Sequence, residues 1–537
     1  MLKKTYIDYE ATGYFKGVVI DYLRGHSFLK NFYTYPPLPD SISALAALRS
    51  QQPYDRQTLI TALSQQHQRL WAEVSLPAVQ QSIASLADPR TVTITTAHQP
   101  ALFLGPLFVI YKTVSTIRLA AYMNSVGDGF RYVPVFWLGS EDHDKQELNH
   151  IHLFGRTLTW NTAQEGAFGR MSTSSLRPWI QEIKNMLGSS PAAGELGQAL
   201  DQAYLRERTI AAATRRLLYY LFGHTGLIVI DGDDALLKRK FVPIMERELT
   251  DQLIFRILGQ ANEKFSIHYT PQIVAREINL FYLSESSRQR ITREGVYYRI
   301  GDGGDMLTKE QMQELVHSQP QNFSPNVALR AVYQEHVLPD AAIVGGGSEV
   351  TYWLQLSVVF RELQVPPPVL MLRNSLLWID PVNAERLQKA RISEEDLFLS
   401  AEEMVKKYLK HQLGDTLSLQ PQIAALNAVF DQALQQVMEW DPSLRASLEA
   451  DRVRTVKIFE QLEDRLRRAA KRKEEAAVQL IYTLKEKLFP MGRLQERHEN
   501  FMNIYSRLGP RFIETLLQEM DPLDYRFLIL TELNESA

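Results

Sequence analysis

The side chains best suited to acid–base chemistry are concentrated in one short stretch of this sequence, directly after the apolar run at residues 133–138. Consecutive carboxylates and an imidazole can take a proton from an amine or bind a cation. The spacing does not match the helical zinc motif of metalloproteases, and a helix start capped by an aspartate is the alternative interpretation. We predict four catalytic residues here, Glu141, Asp142, His143 and Asp144, with Asn149 and His150 as nearby binding residues.

A second polar loop follows an unbroken run of β-branched residues, which is typical of a buried parallel strand. His98 and Gln99 come directly after that run, and Gly105 with Pro106 favours the start of a helix at Pro106. The free amides at a helix N-terminus can hold a phosphate or a carboxylate. We therefore predict a ligand-binding loop here that also uses Lys112.

Glycine-rich and arginine-containing loops follow two later apolar runs. Gly345 and Gly346 begin a stretch that reads Gly-Gly-Gly-Ser-Glu and ends at Glu349. This stretch lets a backbone approach a ligand closely, but it is neither a Walker loop nor a dinucleotide fingerprint. Arg373 and Ser375 could present a cation and a hydroxyl to a phosphate, although an arginine there would equally pair with an acid at the sheet edge. Both loops are open to a binding or a structural interpretation.

The polar loops all follow short apolar runs that predict the strands of a doubly wound α/β sheet. In such sheets ligands bind beyond the carboxyl ends of the strands, where these candidate residues stand. Three aspartates follow the third run, and a helix-capping role and a role in the functional site fit them equally well. The β-rich pieces before the fourth run predict an inserted hairpin. The predicted strands are 91–96, 133–138, 227–231, 341–344 and 369–372, the hairpin pieces are 278–283 and 296–300, and the aspartates are Asp231, Asp233 and Asp234.

The sequence after residue 380 changes to glutamate, lysine, leucine, glutamine and alanine, with apolar residues every three or four positions. A helix that starts near Asp441 can run to Phe489, about 70 Å at 1.5 Å per residue, so we predict an antiparallel coiled-coil arm. Its basic stretch, residues 465–473, alternates with acids at helical pairing distance, which favours a solvated face over a nucleic-acid contact. The predicted seams are Ile423, Leu426, Phe430, Leu434 and Val437, then Phe459, Leu462, Leu466, Ala477, Ile481, Leu484 and Leu488.

Length and composition exclude several functional classes. A chain of 537 residues suggests roughly three structural units, and a net charge of -3 gives no basic excess for binding nucleic acid. The apolar runs fall far short of the roughly 20 residues needed to cross a bilayer, and the N-terminus turns acidic before an apolar signal region develops. We therefore expect a cytoplasmic protein. Without any cysteine, the chain has no disulfide, thiolate nucleophile or cysteine-bound metal.

Several groups of residues recur in a characteristic order over nearly the whole chain. They are Ala97-His98-Gln99 with Gly105-Pro106-Leu107 and Tyr111-Lys112, Pro134-Val135-Phe136-Trp137 with Glu141-Asp142-His143-Asp144 and Asn149-His150, Ser324-Pro325-Asn326-Val327 with Leu329-Arg330, Gln334 with Leu338-Pro339, and Gly345-Gly346 with Glu349, Tyr352, Trp353, Gln355 and Leu356. Together with the late coiled coil, they make the sequence resemble the cysteine-adding enzymes of bacillithiol biosynthesis. Ala97, His98 and Leu372 depart from the glycine, glutamine and proline that many relatives carry at these positions.

The resemblance implies a Rossmann-like core of the nucleotidyltransferase type with connecting-peptide insertions, similar in outline to class I aminoacyl-tRNA synthetases. It also implies a helical coiled-coil domain through which two copies form a homodimer. On this basis we expect the core at residues 1–385, with inserted subdomains at about 151–215 and 262–325. The arm would occupy residues 386–495, and residues 496–537 would pack back on the core.

The resemblance further implies a ligase that joins the carboxyl group of L-cysteine to the glucosamine amine of glucosaminyl-malate, making bacillithiol. Because a free carboxylate is a poor electrophile, we expect ATP, with Mg²⁺, to activate it as a cysteinyl-adenylate or acyl-phosphate. Whether a separate carrier or helper protein delivers the cysteine is left open. Two other interpretations are a nucleotidyltransferase or class I synthetase-like enzyme for another amino acid, although the signature lysine loop is missing, and a non-catalytic nucleotide-binding scaffold.

Individual roles follow from the same resemblance. His98 and the helix from Pro106 would bind phosphate, and the residues at 141–144 would hold substrate ammonium groups or take the amine proton. Arg330, Lys112 and Arg373 would bind malate carboxylates or phosphate. No metal ligand is predicted, and the expected substrate- or nucleotide-binding residues are His98, Gln99, Gly105, Lys112, Asn149, His150, Asn326, Arg330, Gln334, Gly345, Gly346, Glu349, Tyr352, Arg373 and Ser375.

Overall fold

The computed structural model describes residues 2–414 and 418–533, and the chain divides into two compact units. The larger one, the core unit, comprises Asp8–Leu376 and Glu496–Leu528. The smaller one, the helical unit, comprises residues 2–7, 377–495 and 529–533. Within the described ranges no helix combines the length and apolarity that a membrane crossing requires.

The secondary structure alternates between strands and helices through most of the chain. The strands are β1 (Leu2–Asp8), β2 (Thr91–His98), β3 (Arg131–Leu138), β4 (His150–Leu153), β5 (Arg156–Thr159), β6 (Ile228–Asp231), β7 (Leu280–Leu283), β8 (Arg288–Glu294), β9 (Tyr297–Ile300), β10 (Met306–Leu307), β11 (Phe323–Pro325), β12 (Asp340–Gly345), β13 (Val369–Leu372), β14 (Leu376–Ile379) and β15 (Arg526–Glu532). The helices are α1 (Tyr9–Thr12), α2 (Gly17–Leu23), α3 (Pro39–Ser50), α4 (Arg56–Trp71), α5 (Pro77–Ser85), α6 (Phe108–Val126), α7 (Lys145–Leu148), α8 (Arg177–Leu187), α9 (Pro191–Tyr204), α10 (Ile210–Phe222), α11 (Ala235–Asp251), α12 (Leu253–Phe265), α13 (Lys309–Ser318), α14 (Val327–Val337), α15 (Gly347–Glu362), α16 (Pro381–Lys389), α17 (Ala401–Leu413), α18 (Gln420–Trp440), α19 (Arg445–Lys473), α20 (Glu475–Leu488), α21 (Met502–Leu508) and α22 (Pro510–Glu519).

A five-stranded parallel sheet in the order β13-β12-β2-β3-β6 forms the centre of the core unit. The five predicted strands are confirmed, because nearly every residue of these apolar runs is buried. The chain first moves outward from β2 to β6 and later returns to place β12 and β13 on the other side of β2. The strand order therefore reverses between β2 and β12, where a ligand crevice is expected at the carboxyl ends.

An antiparallel sheet in the order β10-β9-β8-β7-β11 lies between β6 and β12 in the chain. The two predicted hairpin pieces are its strands β7 and β9, but they do not pair with each other. The polar Ser/Arg stretch between them forms β8, which pairs with both. The sequence pattern did not predict this strand, because most of its side chains are exposed or only half-buried and are therefore polar.

The helix after β2 begins at Phe108, two residues later than predicted. Gly105 has a φ of 61° and a ψ of −145°, a conformation that favours glycine. Pro106 then pairs with Asn500 in an isolated bridge. The Leu107 amide donates to a backbone carbonyl outside the helix at 2.7 Å, so these two residues contact a distant segment before the regular helix starts.

The two long helices of the helical unit, α18 and α19, run antiparallel. The amide of Leu419, just before α18, donates to Glu463 at 2.8 Å, whereas Arg452 donates to Asn427 and Asp431 at 2.7 and 2.8 Å. Contact positions thus move forward along one helix and backward along the other. The predicted seam of α18 is buried or half-buried throughout, as a paired helix requires.

The single helix predicted to run to Phe489 is interrupted at Glu474, whose φ of −101° and ψ of 27° separate α19 from α20. The two helices have different neighbours, since α19 packs against α18 and α20 packs against α16 and α17. The chain therefore turns where its packing partner changes. One position of the predicted seam is wrong, since Leu462 is 44% exposed. Ala477 is half-buried, and its neighbour Val478 is buried.

Candidate active site

A cavity of about 430 Å³ lies in the core unit at the carboxyl ends of the central strands, where the strand order reverses. Loops after β2, β3, β12 and β13 form its floor, and residues of β7, β8, α14 and the segment near residue 497 complete its walls. It is lined by Ala97, His98, Gln99, Phe108, Trp137, Gly139, Glu141, Asp142, Phe281, Arg288, Pro325, Asn326, Val327, Arg330, Gly346, Gly347, Ser348, Glu349, Tyr352, Arg373 and Arg497.

The structure brings just over half of the predicted site residues together in this pocket. Those that line it are His98, Gln99, Glu141, Asp142, Asn326, Arg330, Gly346, Glu349, Tyr352 and Arg373. Those that do not are Gly105, Lys112, His143, Asp144, Asn149, His150, Gln334, Gly345 and Ser375.

Lys112 lies beneath the pocket and is paired with Glu349. Its ammonium group is 1% exposed and donates to both carboxylate oxygens of Glu349 at 2.6 Å and to the carbonyl of Ala97 at 2.5 Å. Burial lowers the pKa of Lys112. Burial alone would raise the pKa of Glu349, but the charge and hydrogen bonds of Lys112 outweigh it and lower that pKa. All three Lys112 donors are therefore used within the protein. Lys112 neutralises the charge of Glu349 and has no donor left for a ligand.

His98 forms part of the pocket wall as a neutral ring. Burial, followed by the nearby charge of Lys112, lowers the pKa of His98 to about 3. The ring meets Phe108 edge-on, with the two centroids 5.3 Å apart. A neutral imidazole can exchange a hydrogen bond with a ligand but contributes no positive charge toward a phosphate.

Asp142 is the acid of the predicted catalytic group that is most available to a ligand. One carboxylate oxygen accepts from the Gln99 side-chain amide at 3.1 Å, and the other accepts from the Asp144 backbone amide at 3.2 Å. The side chain is 31% exposed and lines the pocket. Because a carboxylate has about four acceptor sites, Asp142 retains capacity for a donor on a substrate.

Glu141 belongs instead to a buried ionic cluster behind the pocket. The Lys238 ammonium lies 2.5 Å from Glu141 and 2.7 Å from Asp233, and Asp233 also pairs with Arg170 at 2.5 Å. Burial raises the pKa of Glu141. Burial acts in the same direction on Asp233, but Lys238 and Arg170 outweigh it and lower the pKa of Asp233 to about 2. Asp234 has the structural role considered for it, since it caps α11 by accepting two amides at 2.9 and 3.2 Å.

The two predicted anion-binding arginines of the pocket differ in how far they are neutralised. Arg373 is 3% exposed, and its guanidinium holds both carboxylate oxygens of Glu496, at 2.7 and 3.1 Å. Arg330 donates instead to the neutral oxygens of Gln334 at 3.0 Å and Tyr352 at 2.9 Å. Within the described part of the chain Arg330 has no carboxylate within 4.0 Å, so its charge is available to a ligand.

The N-terminus of α15 presents open amides to the pocket. Gly346 donates its amide to the Glu349 side chain at 2.9 Å, whereas the amides of Gly347 and Ser348 have no acceptor among the described residues. Both of these residues line the cavity. The first turn of α6 is more fully occupied, because Leu107 already donates to the carbonyl of Glu499. An anion therefore finds more free donors at α15 than at α6.

Several predicted residues that lie outside the pocket have local structural contacts. Asn149 exchanges hydrogen bonds of 2.7 and 3.2 Å with Trp160, and His150 contacts the carbonyl of Gln146 at 3.0 Å. Asp144 precedes α7 without capping it through its side chain. The side chains of Asn149 and His150 are therefore used in local contacts outside the cavity.

Two glycines and a serine outside the pocket support its loops. Gly105 accepts from the Asn500 side chain at 2.7 Å, and Gly345 accepts from the Arg373 amide at 2.9 Å. The Ser375 hydroxyl lies beside the same arginine, which donates to it at 3.0 Å. They fix the backbone of the loops that follow β2, β12 and β13.

Two arginines and two aromatic rings of the pocket were not predicted. The Arg288 guanidinium lies over the Phe281 ring, 4.1 Å from its centroid, and contacts Nδ1 of His143 at 3.2 Å. Arg497 lies 5.8 Å from the centroid of Phe108. The polar Ser/Arg stretch gave a weak signal for Arg288, whereas Arg497 stands in no local motif and reaches the site only through the fold.

Comparisons with known proteins identify the family. Residues 2–374 match the family model "Bacillithiol biosynthesis BshC, N-terminal Rossmann-like domain", and residues 376–532 match "Bacillithiol biosynthesis BshC, C-terminal coiled-coil domain". The Rossmann-like core and the coiled-coil domain are thereby confirmed. The boundary between the two models lies at residues 374–376, next to the change of unit after Leu376.

Relatives similar over their whole length are each named as a candidate cysteine ligase, BshC. The protein of Flavobacterium johnsoniae is 35% identical over 527 residues, covering 98% of this chain and 99% of the relative. That of Cytophaga hutchinsonii is 34% identical, covering 95% of each chain, and that of Bacillus cereus is 26% identical, covering 94% of this chain and 96% of the relative.

A solved structure of a candidate arginyl-tRNA synthetase from Campylobacter jejuni aligns with 83% of this chain and 98% of that chain, at 9% identity and a TM-score of 0.22. A similarity at that level carries no weight for fold or function. The family models and the full-length relatives do, and by them this chain belongs to the bacillithiol biosynthesis BshC family and is an enzyme of the ligase class.

Proposed function

We propose that this enzyme joins the carboxyl group of L-cysteine to the glucosamine amine of glucosaminyl-malate, making bacillithiol, with ATP as the activating substrate. The observation that carries the proposal is that the pocket is lined by both an available cation and an available carboxylate. Arg330 and the open α15 amides, which we call the cationic end, come from α14 and α15, whereas the carboxylate of Asp142, which we call the acidic end, follows β3. Such a pocket suits a reaction between one anionic substrate and one substrate that carries an ammonium group. Because the reaction uses ATP, we place it in the cytoplasm.

The cationic end is suited to the malate carboxylates or to phosphate. Arg330 brings a charge that no carboxylate within reach neutralises, and Arg497 is exposed at the pocket wall. Guanidinium groups bind carboxylates and phosphates through two parallel N–H donors. The amides of Gly347 and Ser348 add neutral donors and the favourable end of the α15 dipole. Arg373 supports this end from behind, since Glu496 already holds it.

The acidic end is suited to an amine. Asp142 is fixed by Gln99 and remains partly exposed. It would accept a hydrogen bond from the cysteine ammonium, or take the proton that the glucosamine nitrogen loses as the amide bond forms. Glu141 is paired with the Lys238 ammonium group, so we propose that Glu141 stabilises the loop that carries Asp142 and does not act on the substrate.

The donor set fits ATP, which supplies the activation that turns the cysteine carboxylate into an electrophile. The amides of Gly347 and Ser348 are open, and the Arg330 guanidinium donates only to the neutral oxygens of Gln334 and Tyr352 among the described residues, so both are suited to phosphate oxygens. In the ranges 2–414 and 418–533 no group of three or more histidine or acidic residues is arranged to hold a metal ion. Mg²⁺ would therefore enter mainly with the nucleotide phosphates, as it does at many ATP sites.

The test is mass spectrometry of purified protein incubated with glucosaminyl-malate, cysteine, Mg²⁺ and ATP, omitting each component in turn. Bacillithiol that forms only when ATP is present supports the proposal. Binding of glucosaminyl-malate without product points to a missing activated cysteine donor or partner protein. Absence of both binding and product contradicts the proposal and leaves an enzyme for another amino acid or a non-catalytic scaffold.

A matched pair of variants tests the acidic end. Asp142→Asn should reduce turnover roughly a hundredfold or more if the carboxylate moves a proton, while the protein remains folded. Asp144→Asn is the control, because Asp144 is exposed and does not line the pocket. Normal turnover by Asp142→Asn removes Asp142 from the mechanism.

We also propose a homodimer formed through the coiled coil. The outer faces of α18 and α19 expose apolar side chains, including Val429 at 62%, Val453 at 66% and Ile458 at 61%. On α19, Ile458 and Leu462 stand four positions apart and are 61% and 44% exposed, and exposed apolar residues at this helical spacing favour a second copy as the partner.

A further inference from the structure

Gln334 does not reach the pocket, yet it contacts Arg330, a pocket arginine that no carboxylate among its described contacts neutralises. It is 1% exposed and lies one helical turn after Arg330 on α14. Its side-chain oxygen accepts from Arg330 at 3.0 Å, and its side-chain nitrogen donates to Asp340 at 3.0 Å. The two ends of one amide therefore join a pocket cation to a buried carboxylate at the start of β12.

The direction of the Gln334 amide is decided by Asp340. An amide has an oxygen end and a nitrogen end of nearly the same shape, so its neighbours select the orientation. Asp340 is fully buried, and the hydroxyls of Thr93 and Thr95 donate to its other oxygen. As an acceptor, Asp340 requires a donor from Gln334, which leaves the Gln334 oxygen facing Arg330.

Glu335 lies buried beside Asp340 in the same group. Arg49 donates to one Glu335 oxygen at 2.5 Å, and the other oxygen has no hydrogen-bond partner among the described residues. Burial raises the pKa of both carboxyl groups. The direction of the Gln334 amide is therefore assigned from the hydroxyls of Thr93 and Thr95, which donate to the other oxygen of Asp340.

We propose that Asp340 and Gln334 are positioning residues, through which a buried carboxylate orients an amide so that Arg330 is held toward the pocket for an anionic group of the substrate. The inference rests on the proposed function, in which Arg330 binds glucosaminyl-malate. Neither residue touches the substrate. Tyr352 holds the second Arg330 nitrogen at 2.9 Å, so the guanidinium plane is fixed at two points.

The test is a double-mutant cycle read by calorimetric binding of glucosaminyl-malate to the full-length protein. Arg330→Met should weaken binding roughly tenfold to a hundredfold. Asp340→Asn removes the charge and replaces one carboxylate oxygen by an NH₂ group, so that the Gln334 amide is no longer held with its oxygen toward Arg330. This change should weaken binding roughly fivefold to tenfold when Arg330 is present, and less than twofold in the Arg330→Met background.

Two further variants separate positioning from stability. Thr93→Val removes a donor from the other oxygen of Asp340; it should lower the melting temperature without changing the dissociation constant more than twofold. Gln334→Met removes both hydrogen bonds and repeats the cycle if Asp340→Asn does not fold. In every case the loss of melting temperature should be the same with and without Arg330.

The outcomes distinguish the inference from the function on which it rests. Equal losses of affinity from Asp340→Asn in both Arg330 backgrounds would overturn the positioning role alone. Unchanged binding by Arg330→Met, or no binding by the unmodified protein, would overturn the use of Arg330 in the proposed function and the positioning role with it.

Discussion

Replacing Glu496 with glutamine tests how much a buried ion pair stabilises the wall of the pocket. Glu496 is 1% exposed and Arg373 is 3% exposed. The Glu496 carboxylate accepts from both terminal nitrogens of Arg373, at 2.7 and 3.1 Å, from the Ser375 hydroxyl at 3.2 Å and from the Leu376 amide at 3.1 Å. Glutamine keeps one acceptor oxygen, but it removes the charge and places an NH₂ group against donors.

The cost follows from this geometry. Removing one partner of a buried pair typically costs about 3–5 kcal/mol, because the remaining charge is left uncompensated. The oxygen that glutamine retains favours the lower end, so we expect a loss of about 3 kcal/mol in the free energy of unfolding of the core unit. Glu10→Gln is the control, since Glu10 and Arg24 are 65% and 60% exposed and exposed pairs contribute about 0–1 kcal/mol.

Urea denaturation followed by tryptophan fluorescence is the assay. With a denaturant slope of about 3 kcal/mol per molar, the Glu496→Gln midpoint should fall by about 1 M, and the Glu10→Gln midpoint by no more than about 0.3 M. Equal shifts for the two variants would refute the assignment of Glu496 as the compensating charge for Arg373.

Three other expectations concern pH, backbone packing and assembly. Burial lowers the pKa of His67 to about 3, so its contribution to stability is complete above pH 6.5 and is lost as the pH falls from 6.5 toward 3. Between pH 7 and pH 5.5 the free energy of unfolding of the unmodified protein should fall by about 1.3 kcal/mol more than that of His67→Gln. A difference between the two proteins that does not change with pH would contradict this. Gly169→Ala would place a Cβ 2.7 Å from the carbonyl oxygen of Ser140, next to the loop of Glu141 and Asp142. This substitution should lower the free energy of unfolding by about 1–3 kcal/mol and reduce turnover, whereas Gly194→Ala, where the added Cβ has open space, should do neither. Equal melting temperatures for the two variants would show that the loop accommodates the methyl group. Light scattering should give twice the chain mass, reduced toward one chain by Ile458→Lys, and a monomeric unmodified protein would contradict the dimer.

The candidate site illustrates how far local sequence patterns reach. Asp142 and His98 could be selected because polar residues directly after buried apolar runs must lie at the carboxyl ends of parallel strands. The same pattern could not tell that Asp142 keeps free acceptor capacity while Glu141 is held by Lys238. Both acids follow the same strand, and only the packing of α11 distinguishes them.

Burial periodicity and motif order are local properties of the chain, so the five central strands, the paired helices of the coiled coil and the family could be inferred from the sequence alone. Which charges are paired within the protein and which are available to a ligand depends on the tertiary structure. Glu349 neutralises Lys112 across 237 positions and Glu496 holds Arg373 across 123, which leaves Arg330 as a pocket cation without a carboxylate among its described contacts. Ion pairs form between groups that the fold brings within a few ångströms, and no local pattern encodes a partner that far along the chain.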